Sequence, residues 1–333
     1  MIMIRYVFAG CVTAVLASGC GGPGREQPQD RVAITELVRK IESSVGRIEV
    51  QAGDLARATA LTYTDADRII ATVDTSRYAA AAGGVYYKAV DDGGPAMWVS
   101  GVVPVDESIK RIAWATEAID DDLKRITQEN PAVVQVYYND RNSLNRIYPP
   151  FDVLSQYEPK MNIPEFNFYY LADEKHNPGR KVVWVDEPYV DPAGRGWMVS
   201  CIAPVYDEEV LAGVVGLDVT VAGIVENFLQ PENRAWALVD RKGAIVAATE
   251  RAIELLQMPP LTDHRYVNTV RSDRYRSEDY NMLQSPSADV RALADEVLNQ
   301  RLTTSRLKGP DGTRLVLAES IPSLEWTAML VIE

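Results

Sequence analysis

Apolar residues fall at Ile34, Val38, Ile41, Val45, Ile48, Ala52 and Leu55, in alternating steps of four and three. That is a heptad seam, the pattern of a helix that buries one stripe. Asp30 offers an N-cap in front of it. The spacing predicts one helix over about 31–62, roughly 48 Å long at 1.5 Å per residue. Such a seam can pair with a second copy of the chain or lie along the chain's own body. Gly46 and Gly53 weaken an isolated coil and favour the second arrangement, with a homodimer still open.

Beyond the seam the pattern alternates between helical and strand periods. Residues 64–82 read as helical, and 83–90 and 96–105 as strands around the turn Asp91, Asp92, Gly93, Gly94 and Pro95. Residues 106–130 form an amphipathic helix with Ile109, Ile112, Ala113, Ala118, Ile119, Leu123 and Ile126 inward, stopped at Asn130 and Pro131. Strands at 132–138 and 146–148 follow, then a loop over 151–166 and a short helix over 167–175. Three further strands, 181–185, 197–205 and 210–219, are the most regular part of the chain. A turn precedes the second: Pro192 fixes φ, Asp191 can bond the backbone ahead, and Gly194 tolerates positive φ. The third run is almost wholly apolar, and its Gly213 and Gly216 leave room for a bend or a close backbone neighbour. After a helix at 222–229 and a boundary at Pro231, a hairpin spans 236–248 around Asp240, Arg241, Lys242 and Gly243. Helices at 250–257 and 288–302, a second hairpin around Gly309, Pro310, Asp311 and Gly312, and a last strand at 326–333 complete the order. This predicts an α/β (α+β) chain: a long helix over 31–65, then units 66–229 and 230–333, each with a central antiparallel sheet.

The N-terminus has a different grammar. Arg5 precedes an apolar run over 6–16, shorter than the ~20 residues a spanning helix needs. Leu16, Ala17, Ser18, Gly19 and Cys20 then resemble a bacterial lipobox, with Ala17 where Leu is commoner. On that reading 1–19 is a signal peptide and Cys20 is lipidated. The Gly/Pro/Gln-rich run over 20–30 is then a flexible tether to a membrane of the cell envelope, facing the periplasm or exterior. Ordinary signal cleavage or an uncleaved anchor are the alternatives. Gly21 leaves the choice of inner or outer membrane undecided.

Charge narrows the function classes. The 47 acidic against 34 basic side chains give a net charge of −13, which argues against nucleic acid as a partner. Cys11, Cys20 and Cys201 show no metal spacing, His176 and His264 are too few for a histidine site, and Cys201 reads as a buried, inert thiol. No nucleophile elbow, HExxH or P-loop is present, and the acidic pairs fall in turns or on helix surfaces. The expectation is a protein that is not an enzyme and needs no metal or redox cofactor.

The ordered segments VVQVYYNDRNSLNRIYPP (133–150), FYYLADEKHNPGR (168–180), VVW (182–184), PYVDPAGRGWMVSCIAPVYD (188–207) and GVVGLDVT (213–220) resemble the double Cache sensor domain. The resemblance is close over about 132–229 and looser over the rest. It implies an extracytoplasmic module of two PAS-like subdomains on a long helix, with a small molecule in the membrane-distal one, 66–229. The membrane-proximal subdomain would be 230–333. Receptors and kinases of that family continue into a membrane span and an output domain. Taken as a whole protein, this chain would instead pass its signal through a partner: a sensor kinase, chemoreceptor or transporter.

Candidate pocket residues are the aromatics Tyr137, Tyr148, Phe166, Phe168, Tyr169, Trp184 and Tyr189, together with Asp191. An aromatic wall with a carboxylate suits a cation. The resemblance implies that Asp191, at the Asp of the PYxD element, holds an ammonium group; turn capping is its alternative role. The amino-acid-binding branch carries Tyr-x4-Arg-x-Trp-Tyr, whereas this chain has Met161, Phe166 and Phe168 at the first three of those places. With Phe166 where that branch has the Arg that grips a carboxylate, an amine or weakly polar compound is expected rather than a standard amino acid. The alternative is an interaction module whose pocket has become core.

Overall fold

The computed structural model describes residues 26–185, 188–192, 195–230, 234–259, 277–309 and 312–332. The lipobox with Cys20 lies outside the described residues, as do Ala193 and Gly194 of the turn, Pro231, and Pro310 and Asp311 of the second hairpin.

Helix α1, Pro28–Thr64, carries the seam. Its N-cap is Gln27 rather than Asp30. Asp30 is the third helical residue, and its carboxylate accepts the Gln27 backbone N–H at 2.9 Å and meets Arg234 at 2.6 Å. Pro28 stands at the first helical position, where its missing N–H leaves no bond unmade. All seven seam residues are buried in the chain's own core, so the heptad stripe is filled from within the molecule.

Residues 64–82 hold only the short α2, Ala66–Ile70, and a 3-10 turn at Thr75–Arg77 before they become β1, Tyr78–Ala80. Strands β2, Tyr86–Lys88, and β3, Ala96–Val99, follow. The helix expected over 106–130 divides into α3, Glu107–Ala115, and α4, Asp120–Glu129, with a tighter turn between them. At that turn the Thr116 hydroxyl donates to the Ile112 carbonyl and accepts from the buried Arg146 guanidinium. Strands β4, Val133–Asp140, and β5, Leu144–Tyr148, form a hairpin. Strands β6, Val183–Trp184, β7, Tyr189–Val190, β8, Trp197–Asp207, and β9, Val210–Thr220, complete the larger sheet. Its order is β1-β2-β3-β5-β4-β9-β8-β6, with β7 also on β8. Strand β8 runs through Pro204 because β6 pairs only with Cys201 and Ile202, so the missing proline N–H costs no bond on that side.

The smaller sheet, order β11-β10-β14-β13-β12, contains both expected hairpins. Its strands are β10, Ala235–Val239, β11, Ile245–Ala248, β12, Thr304–Gly309, β13, Gly312–Ile321, and β14, Trp326–Ile332. Helix α1 serves both sheets. Arg31 donates to the Thr304 hydroxyl at 2.8 Å, and Glu42 accepts from the Ser323 hydroxyl at 2.6 Å. Farther along, Glu49 accepts from the Trp184 indole of the larger sheet at 3.0 Å. One continuous core of α1, α3, α4 and one face of each sheet results. The other face of the larger sheet is covered by the segment 151–176. The other face of the smaller sheet is covered by the helices Glu250–Leu255 and Ala288–Ala294. No described helix is long and apolar enough to cross a membrane.

Candidate functional site

Period-two alternation decides what each strand offers to the covering segment 151–176. Strand β4 points Gln135, Tyr137 and Asn139 that way, β5 offers Asn145 and Ile147, and β9 offers Asp218. Tyr189 and Asp191 enter from β7 and the residue after it, and Phe168, Met161 and Tyr157 close the site from above. The free volume between them is about 20 Å³, room for a group the size of a water.

Asp191 and Asp218 are the centre of this cavity. Both are buried, at 3% and 1% exposure. Gln135 bridges them: its Nε2 donates to Asp218 Oδ2 and lies 3.4 Å from Asp191 Oδ1. The Ser200 hydroxyl donates to Asp218 Oδ1, and the Tyr189 hydroxyl lies 2.6 Å from Ser200 Oγ. The Arg195 backbone N–H donates to Asp191 Oδ2 at 3.1 Å, while the Arg195 guanidinium reaches the carbonyls of Val134 and Pro149. Burial, reinforced by the neighbouring Asp191 charge, pushes the Asp218 carboxyl up to about 7. Burial likewise pushes the hydroxyls of Tyr137, Tyr157 and Tyr189 well above their ordinary value, so they stay neutral. Gln135 Oε1 is buried with no hydrogen-bond partner, and the Tyr137 hydroxyl lies beside Tyr189 and Ser200 without a well-formed bond. The site is therefore rich in acceptors and negative charge, and it calls for a donor.

The aromatic wall is built by close packing. A Cβ on Gly216 would lie 2.1 Å from Tyr137 Cζ, so the glycine lets the ring of its cross-strand partner lie flat on the strand. Tyr137 meets Phe168 edge to face at 6.0 Å, Phe168 tilts on Tyr189 at 5.3 Å, and Phe166 stacks behind Phe168 at 5.0 Å.

Of the residues singled out in the sequence, Asp191, Tyr189, Phe168 and Tyr137 line the cavity. Phe166 backs Phe168, and Tyr169 is buried in the same cluster without lining the cavity. Tyr148 and Trp184 lie on the opposite face, against the α1 core, because they are out of phase with the cavity-facing positions of their strands. Gln135, Ser200 and Asp218 were not singled out. The available signal was alternation: Gln135, Tyr137 and Asn139 recur every second residue, and Asp218 is the single charge in an apolar run. Cys201 is buried on the α1 side with its thiol raised by burial. Among the described residues no group of His, Cys, Asp and Glu is arranged to hold a metal.

No family model matches the sequence, and no curated protein matches it significantly. Solved structures do. The ligand-binding domain of the amino acid chemoreceptor PctB of Pseudomonas aeruginosa PAO1, in complex with L-Gln, is 12% identical over 92% of this chain and 90% of that one, with a TM-score of 0.54. The PctC domain of the same organism, in complex with GABA, is 14% identical over 92% and 98%, with a TM-score of 0.48. The sensory domain of the Campylobacter jejuni chemoreceptor Tlp3 is 14% identical over 91% and 94%, with a TM-score of 0.44. The likeness to PctB shows the fold alone: the long N-terminal helix followed by two antiparallel sheets is the arrangement of that domain.

Proposed function

We propose that this chain is an extracytoplasmic sensing protein whose larger-sheet unit, 66–229, holds the protonated amino group of a small amine between Asp191 and Asp218. The single observation that carries this reading is the pair of buried carboxylates bridged by Gln135, with the unpartnered Gln135 Oε1 beside them. An ammonium group supplies positive charge and N–H donors together. Phe166 and Phe168 offer no cation to a ligand carboxylate. The PctB domain is described in complex with L-Gln; the amine end of such a molecule is the kind of group we propose for this site. Entry of a ligand requires the covering segment 151–176 to move outward, and closure on it would reach α1 through Trp184 and Glu49.

The lipobox-like run ending in Cys20 supports a lipid anchor. The start of α1 is bonded beside the smaller sheet, at Thr303 and Thr304, which supports 230–333 as the membrane-proximal unit. A partner sensor kinase, chemoreceptor or transporter would then read the movement of α1.

The small free volume favours a second reading, an interaction module with a filled core. Against it stands the cost of burying two carboxylates where an apolar filling would serve. A thermal-shift screen of the full chain against primary amines, diamines, quaternary amines, amino acids and carboxylates separates the two. At about 100 times its dissociation constant an amine should add about 2.7 kcal/mol. That gain should vanish in Asp191→Asn with Asp218→Asn. No response from a folded chain, or an unchanged response in the double variant, would remove the amine reading.

A further inference from the structure

The cavity between Asp191 and Asp218 selects an occupant by size as well as by charge. Its free volume of about 20 Å³ is that of a single water-sized group. The ring above it is held firmly. Phe168 packs edge to face on Tyr137 at 6.0 Å, tilts on Tyr189 at 5.3 Å and is backed by Phe166 at 5.0 Å. A carbon chain carried by the bound group would have to displace this stack.

Two unmet polar groups line the same cavity. Gln135 is 2% exposed and its Oε1 has no hydrogen-bond partner; Tyr137 is 3% exposed and its hydroxyl has no well-formed bond. The bonds that the Asp218 carboxylate receives come from neutral groups, the Gln135 amide and the Ser200 hydroxyl. The Arg195 guanidinium turns instead to the carbonyls of Val134 and Pro149. Asp191 already accepts the Arg195 backbone N–H, so it enters as a second negative charge rather than as an open acceptor. A water in this place brings no charge to a buried carboxylate. An alkali ion of similar size wants a fuller shell of oxygens than a cavity walled by aromatic rings supplies. One species joins the size of a water to a positive charge and N–H donors on every side, and it also suits aromatic faces.

Resting on the amine reading above and narrowing it, we infer that the occupant of this cavity is the ammonium ion itself, held by Asp218, Gln135 Oε1 and the Tyr137 hydroxyl beneath the Phe168 ring. The covering segment 151–176 then seats fully over the ion, whereas a longer amine holds Phe168 away from Tyr189. The chain would report free ammonium in its surroundings rather than an organic amine.

The test is calorimetry and thermal shift on the full chain with ammonium chloride, against sodium and potassium chloride at equal ionic strength. Methyl-, ethyl- and propylammonium complete the series. Affinity should fall along that series, by roughly tenfold or more from ammonium to ethylammonium. Potassium should also bind roughly tenfold more weakly than ammonium. Asp218→Asn should weaken ammonium by roughly tenfold. Phe168→Ala should reverse the order, so that propylammonium binds best; Phe168→Leu serves if the larger truncation fails to fold. Native affinity that rises with chain length would overturn the ammonium assignment and leave the amine reading standing. Silence from every amine, ammonium included, in a folded chain would remove both. Potassium binding as tightly as ammonium would overturn recognition through N–H donors. An unchanged ammonium response in Asp218→Asn would overturn the placement, and an unchanged order in the Phe168 variants would overturn selection by the ring.

Discussion

Each sheet packs one face on α1 and turns the other away, and the two outward faces differ in kind. On the smaller sheet that face is Ala235, Ala237, Val239, Val316, Ala318, Met329 and Val331, sealed by two helices. On the larger sheet it presents Gln135, Asn139, Asn145, Ser200 and Asp218 under a segment with little regular structure. The apolar face is stabilised by burial alone, at about 25 cal/mol per Å². The polar face forgoes part of that gain and must satisfy every donor and acceptor it buries. The same architecture thus makes a support in one half and the proposed recognition site in the other. Side chains, rather than topology, decide which.

The largest effect comes from erasing the difference in the wrong direction. Ala237→Asp places a carboxylate on the sealed face with no partner, and chemical denaturation should show a loss of about 3–5 kcal/mol. Next is Gly216→Val, whose side chain would occupy the space of the Tyr137 ring. A loss of about 1–3 kcal/mol is expected, together with loss of amine binding, because the wall of the cavity moves.

Asp218→Asn should act with the opposite sign. Above pH 7 the native chain holds an ionised, buried Asp218 that the variant lacks. The variant should be more stable at pH 8 by about 1–2 kcal/mol. The pH dependence follows from linkage. The folded Asp218 keeps its proton up to about pH 7, whereas the unfolded one releases it near pH 4. The group's contribution to stability is thus full below pH 4 and is lost as pH rises to about 7. Asp140, raised by burial to about 6, adds a loss of the same sign, so the native-minus-variant difference isolates Asp218. Amine affinity should run the other way, strengthening as pH rises through about 7 and Asp218 ionises. In Asp218→Asn that dependence should flatten. The smallest effect is at Glu49→Gln, which weakens one charge-assisted bond to Trp184. About 0.5–1 kcal/mol of stability should go, with the cavity's own affinity little changed.

The same contrast explains what the sequence disclosed. Ile34 through Leu55 announced a buried helix because a stripe repeated over three heptads has few other readings. The hairpin at Asp240 and Gly243 was legible because that turn needs those residues: the Asp240 carboxylate accepts two backbone N–H groups and Gly243 has φ of 93°. The polar site was harder. Trp184 and Tyr148 have the right composition for a pocket but the wrong phase, and phase in a two-residue strand such as β6 has no repeat to reveal it. Asp218 has the right phase but stands alone in an apolar run. Its importance arises from Gln135, 83 residues earlier, and no local pattern encodes that meeting. The break at Thr116 has the same origin, since its partner Arg146 lies 30 residues away.

Because α1 meets both sheets along a single stripe, its length is a shared coordinate. One residue inserted midway, between Val45 and Ile48, would turn everything beyond it by about 100° and advance it 1.5 Å. Glu49 would then swing away from Trp184 while Arg31 and Glu42 kept their hold on the smaller sheet. The helix can therefore accept many changes of residue on its exposed side, but descent should leave its residue count nearly untouched. In a lineage of such chains, insertions and deletions would collect in the loops and spare this segment.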